Sequence, residues 1–220
     1  PQQPPSRTHY PKWEWQRQRR KPLTGPSDRS VERRRPATGR HVSGDQKLTK
    51  EKLLEFLRRL GESARNPGAC FITGGSSAIL LGWRDTTIDV DLTFDPEPAG
   101  VFDAIPGLKK EMSVNVELAC PSDFLPPLEN WRERSRFIGR YGEMDVFHYD
   151  FLSQGLSKIE RGHAKDLLDV TEMLRRKLVT AEELLAQAEA IRPRIKRYPA
   201  LDEESFIRRV TEFLGGPSHA

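Results

Sequence analysis

The stretch Phe71-Ile72-Thr73-Gly74-Gly75-Ser76-Ser77-Ala78, with Asp89-Val90-Asp91 beginning thirteen residues after Ser76, decides how this chain reads. Ala69 to Thr73 is a short apolar run bounded by the turn Asn66-Pro67-Gly68, which predicts a buried strand. Gly74-Gly75 breaks that strand, and Ser76 to Gly82 has the composition of a short helix. Ile88 to Phe94 then alternates, placing Ile88, Val90 and Leu92 on one face and Asp89 and Asp91 on the other. Carboxylates two residues apart on a strand project together, about 7 Å apart by the strand rise. Such a pair can share a divalent cation, and oxygen-only donors favour Mg²⁺ or Mn²⁺ over Zn²⁺. The glycines allow a close backbone approach to phosphate, and the helix start supplies N–H groups and a positive dipole end. Gly74, Gly75 and Ser76 are therefore expected to cradle the phosphates of a nucleoside triphosphate whose metal sits on Asp89 and Asp91. Transfer from such a complex needs little beyond positioning and charge neutralisation.

Working outward, Thr49 is placed to cap a helix carrying Leu53, Leu54, Leu57 and Leu60. Asp95-Pro96-Glu97-Pro98 closes the Asp-x-Asp strand, and a helix is expected from Ala99, disturbed by Pro106. Ser113 to Leu118 predicts a third alternating strand. Arg136–Arg140 and Met144–Tyr149 predict a hairpin around Tyr141-Gly142-Glu143. Helical patterns follow over 150–161, 163–177, 180–191 and 202–214, with Thr180 and Asp202 as caps. The order gives an α/β (α+β) fold, a mixed sheet flanked by helices with a helical C-terminal part, over residues 48–220.

The glycine turn followed by Asp-x-Asp resembles the nucleotidyltransferase superfamily, the fold of DNA polymerase beta, and Thr87 to Leu92 is most similar to its toxin-type members. Leu156 to Val170, with Lys158 followed by Lys165-Asp166 and Asp169, resembles the lysine and lysine-aspartate-x-x-aspartate motif of AbiEii-type toxin nucleotidyltransferases. The resemblance covers roughly 69–175. It implies a metal-dependent nucleotidyltransferase that moves a nucleotide from an NTP to an acceptor, such as a tRNA 3′ end or other RNA, with a cognate antitoxin as protein partner. It assigns Lys158 to nucleotide phosphate and Asp166 to orienting or deprotonating the acceptor, with Asp169 a further match. Glu117 is the candidate third metal ligand, because Asn115 and Glu117 project opposite Val114, Val116 and Leu118; Asp123 and Asp145 are alternatives. The plainer reading makes Lys158, Arg161, Lys165, Asp166 and Asp169 a solvated helix face, with Lys165–Asp169 an i,i+4 pair and His163 a loop residue. Alternative functions are a small-molecule or protein-modifying nucleotidyltransferase, or a non-catalytic nucleotide- or RNA-binding module of the same fold.

The charge divides the chain. Residues 1–47 hold 12 Lys/Arg, 4 Asp/Glu and seven prolines, a net charge of +8 in a chain whose total is +4. With so few aliphatic residues this segment is expected to be a disordered arm, with Tyr10, Trp13 and Trp15 available to stack on bases. The remainder is mildly acidic. No apolar run exceeds four residues, far below the ~20 that cross a bilayer. Cys70 and Cys120 are too few for a disulfide framework or a cysteine-based zinc site, and the first thirty residues lack the apolar region of a secretory leader, so a reducing cytoplasm is expected. If the arm carries RNA affinity, removing 1–47 will flatten the fall of binding with salt. An unchanged slope of log K against log salt would place the RNA contacts in the body instead.

Overall fold

The computed structural model describes residues 47–215, so the expected arm over 1–47 lies outside the described residues but for Lys47. Leu48 begins the folded body: it is buried, and its N–H and C=O pair with those of Thr87 at 2.8 and 3.1 Å. Helix α1 (Lys50–Glu62) starts at Thr49, whose hydroxyl accepts the Lys52 N–H. Leu53, Phe56, Leu57 and Leu60 form its buried stripe, while Leu54 is half-buried.

Five strands follow, interleaved with helices: β1 (Gly68–Ile72), α2 (Gly74–Leu81), β2 (Asp89–Phe94), α3 (Val101–Met112), β3 (Asn115–Leu118), the one-turn α4 (Trp131–Arg134), β4 (Arg136–Tyr141) and β5 (Met144–His148). They form one mixed sheet in the order β3-β2-β1-β5-β4. β1 lies in the middle, antiparallel to β2 and parallel to β5, and is buried along its whole length. Its continuous apolar run follows from that position, because both faces of a central strand are covered. Cys70 and Ile72 pack with Val90, Leu92, Val146 and the stripe of α1, whereas Ala69 and Phe71 pack on the opposite face with Trp131, Phe147 and Tyr149.

The alternation in β2 holds for Val90 and Leu92, both fully buried. Ile88 departs from it: the strand begins at Asp89, and Ile88 is 54% exposed. Gly74 and Gly75 do not precede α2 but form its first turn, and Pro106 sits inside α3 without ending it. The hairpin β4–β5 turns at Gly142, whose φ is +57°.

The C-terminal part consists of α5 (Phe151–Arg161), α6 (Ala164–Arg175), α7 (Ala181–Ile191) and α8 (Glu203–Leu214), with a 3₁₀ segment at Arg192–Arg197. Thr180 and Asp202 cap α7 and α8 as expected, and Asp150 caps α5. α5 is the centre of this part, buried from Phe151 through Ile159. Its buried serines are paired, as buried polar groups generally are: Ser153 Oγ donates to Asp150 at 2.7 Å, and Ser157 Oγ to the Gln154 carbonyl at 3.0 Å. Among the described residues no helix is long and apolar enough to cross a membrane.

Gly61 joins α1 to the hairpin so closely that an added Cβ would overlap the backbone of Tyr141, while Gly107 in α3 has open space around it. Gly61→Ala should therefore lower unfolding stability by about 1–3 kcal/mol through backbone displacement. Gly107→Ala should raise it by up to about 1 kcal/mol through helix propensity. Urea unfolding of the two variants will show opposite signs if this packing is right.

Candidate functional site

A cleft of about 390 Å³ opens where α2, β2 and the α5–α6 junction meet, lined by Gly74, Gly75, Arg84, Thr87, Asp91, Lys158, Arg161, His163, Ala164, Lys165 and Asp166. Five of the residues singled out from the sequence, Gly74, Gly75, Asp91, Lys158 and Asp166, thus share one wall system. Three others do not line it: Asp89 and Glu117 continue the acidic row outward from Asp91, and Ser76 is fully buried.

The first wall is the strand-to-helix turn. Gly74 adopts φ +60°, and an added Cβ would overlap Oδ2 of Asp91, so glycine is required both by the backbone and by the carboxylate against it. Gln154, fully buried on α5, fixes this turn by accepting the Gly74 N–H at 3.2 Å and donating to the Tyr149 carbonyl at 2.8 Å. The Ser76 hydroxyl donates to the Asp89 carbonyl at 3.0 Å, tying α2 to β2. With Ser76 fully buried, Gly74 and Gly75 are the residues of this turn that line the cleft. Thr73, the N-cap, makes no side-chain cap bond, and α2 has no acidic residue in its first turn. The first turn of α6 also faces the cleft, with N-cap His163 likewise making no side-chain cap bond. Two helix N-termini, each with the positive end of its dipole, thus meet in one cleft, and α6 carries Asp166 in its first turn.

The second wall is a charge cluster. Lys158, 3% exposed, donates to Asp166 at 2.9 Å and to Asp169 at 2.7 Å. Asp169, 2% exposed, also accepts from the Trp83 indole at 3.1 Å and from Arg84 at 2.9 Å. The solvated-face reading of these residues fails for Lys158 and Asp169, and Asp169 is paired with Lys158 and Arg84 rather than with Lys165. Arg161 donates to Asp166 at 2.9 Å. Burial alone would raise the Asp166 pKa, but Lys158 and Arg161 outweigh it and hold the carboxyl below its ordinary value. The structure thus places Asp166 in the cleft wall, engaged with Lys158 and Arg161.

The third wall is acidic. Asp91 pairs in register with Glu117 and Asp89 with Asn115 across the parallel β2–β3 ladder, so all four share a face. Burial, reinforced by Glu117 and Asp89, pushes the Asp91 pKa up to about 6 despite the opposing pull of Lys158 and Arg161. Asn115 Nδ2 lies 2.5 Å from Asp89 and 3.5 Å from Glu117, bridging the two carboxylates. Among the described residues no three Asp, Glu, His or Cys side chains form a closed metal cage. This donor set fits a Mg²⁺-type ion, which takes one or two carboxylates and completes its octahedron with water and substrate oxygens. The alternatives to Glu117 are engaged elsewhere: Arg140 holds Asp145 at 2.6 and 2.7 Å, and Asp123 accepts the Cys120 N–H at 2.8 Å.

Gln154 and Arg84 were not marked by the sequence. A polar residue inside an otherwise buried helix was the available sign for Gln154; Arg84 carried none, since its partners lie on α6. No protein-family model matches this chain, and neither a curated protein nor a solved structure matches it significantly.

The two walls make opposite predictions for stability. Asp169→Ala takes from buried Lys158 one of its two carboxylates and from Arg84 its ion-pair partner, and should cost about 3 kcal/mol. Asp91→Asn should instead stabilise at neutral pH, on the order of 1 kcal/mol. The sign follows from linkage: an acid whose folded pKa exceeds its unfolded one costs stability above that pKa and recovers it as pH falls through about 6 towards 4. Denaturant unfolding at pH 7.5 and pH 4 should show the Asp91→Asn advantage shrinking at the lower pH.

Proposed function

We propose that the cleft binds a nucleoside triphosphate and transfers its nucleotide to an acceptor hydroxyl, with RNA as the acceptor class. The observation that carries this reading is the meeting, in one cleft, of two helix N-termini and the cations Lys158, Arg161 and Lys165 with the crowded carboxylate Asp91. A polyphosphate satisfies the first set, and a divalent cation relieves the second. Asp91, with Asp89 beside it and Glu117 across the ladder, would hold Mg²⁺ or Mn²⁺, which when bound supplies charge neutralisation at the α-phosphate.

The chain's own residues do the rest. The Gly74–Gly75 turn, held in place by Gln154 through the Gly74 N–H, receives the phosphate oxygens. Lys158, steadied by Asp166 and Asp169, offers positive charge from the opposite wall, and exposed Lys165 adds to it. An acceptor oxygen attacks the α-phosphorus and loses its proton, and the bond to the bridging oxygen of the β-phosphate breaks. Pyrophosphate leaves. This requires positioning more than covalent participation by the protein. The basic segment 1–47 suits an RNA acceptor by charge, and the free thiols of Cys70 and Cys120 suit a reducing compartment such as the cytoplasm. A protein antitoxin remains an expectation of the family resemblance.

The test is incorporation of label from each α-³²P NTP into total RNA in the presence of Mg²⁺. Label should enter RNA with the wild type and fall by roughly two orders of magnitude or more in Asp89→Ala/Asp91→Ala. Chelation should abolish it, and Mn²⁺ should restore it. Equal labelling by both proteins would remove the carboxylates from the reaction, and label appearing in protein would replace RNA by a side chain as acceptor.

A further inference from the structure

Phe124 stands 39% exposed, the one aromatic among the large apolar side chains open to solvent in the described residues. Its surroundings show no packing reason for that exposure. The turn beneath it is fixed: the 3₁₀ segment Pro121–Asp123 is closed by the Cys120 N–H donating to Asp123 at 2.8 Å, and the Phe124 N–H donates to the Pro121 carbonyl at 3.1 Å. The next residue, Leu125, is fully buried in the helical core and anchors the segment from below. The ring is thus presented by a rigid element.

One face of the ring is occupied by Arg161, whose guanidinium carbon lies 5.1 Å from the ring centroid. The same guanidinium donates to Asp166 and lines the cleft. Arg161 therefore links the phosphate-accepting wall to an exposed aromatic surface just outside it. A phosphate-accepting cleft on one side of Arg161 and a partly exposed aromatic ring on the other follow the order of a nucleotide, whose anionic chain leads through a sugar to a flat base. A base stacks on any aromatic face without needing a particular edge, and a guanidinium behind the ring holds its plane.

We infer that Phe124, backed by Arg161, is the platform on which the base of the bound nucleotide stacks. The inference rests on the phosphate site proposed above, and it makes Phe124 a substrate-binding residue that contributes affinity for nucleotides of any base. Selectivity among bases would then come from residues at the base edge rather than from this ring.

The test compares the affinity of the full chain for the four NTPs, for inorganic tripolyphosphate and for a short single-stranded RNA, in wild type, Phe124→Leu and Phe124→Trp. Leucine keeps an apolar side chain but removes the π-face, and thermal melts check that the turn is intact. The wild type should bind at least one NTP about tenfold more tightly than tripolyphosphate, the size of one base–aromatic stack. Phe124→Leu should bring that NTP down to the tripolyphosphate level while leaving tripolyphosphate unchanged. Phe124→Trp should keep the preference and show added indole quenching by the NTP but not by tripolyphosphate. Equal wild-type affinity for every NTP and tripolyphosphate would overturn the base platform and leave the phosphate site standing. Absence of binding by either would overturn both, and a loss confined to RNA would overturn the assignment to the nucleotide.

Discussion

A lysine ammonium buried to 3% exposure is the constraint on which the site depends. Lys158 is anchored on the most buried helix of the molecule, so its charge must be compensated by side chains brought to it. Asp166 and Asp169 do so from α6, and Asp169 in turn draws Trp83 and Arg84 from the connection between α2 and β2. One buried charge thereby sets the distance between α5 and α6 and pulls the far side of the cleft inward. Stability alone does not call for such a group, since well-packed apolar residues of similar volume often serve as well or better than a buried ion pair.

The opposite wall carries the complementary problem. β2 and β3 run parallel in a register that places Asp91 beside Glu117, and the turn at Gly74 lays its backbone directly on the Asp91 carboxylate. Burial of Asp91, with the charges of Glu117 and Asp89 adding to it, outweighs the pull of Lys158 and Arg161 and raises its pKa above the ordinary aspartate value. A molecule folded for stability alone would place asparagine or threonine at this point. Carboxylate crowding on one side and buried cation pairing on the other divide the cleft into an acidic half and a basic half.

Much of this was legible along the chain. Element types followed from period and punctuation: the strand at β1 from its apolar run between Asn66-Pro67-Gly68 and Gly74, the alternation of β2 from Val90 and Leu92, and the caps at Thr49, Thr180 and Asp202 from residue type alone. The departures have local causes. Ile88 continued the alternation on paper but lies one residue outside the ladder, where Thr87 is pulled aside by Leu48. Ser76 read as part of a phosphate cradle because it follows the glycine pair at a helix start; a bond to a carbonyl thirteen residues away turned its hydroxyl inward. Asp166 read as a residue that orients or deprotonates an acceptor; its ties to Lys158 and Arg161 are not visible from its place in the chain.

The sequence by itself determined the strand and helix order, the glycine turn before an Asp-x-Asp strand, and the lysine and aspartates of α5 and α6, because these depend on periods of two and 3.6 residues and on conformations few residue types allow. The tertiary structure alone decided which of those groups meet. Sheet order put β2 beside both β1 and β3, burial of α5 turned Lys158 from a surface charge into a paired one, and Gln154 and Arg84 acquired roles through partners 80 and 85 residues away. Charge compensation acts through space, and neither spacing nor propensity along the chain records it.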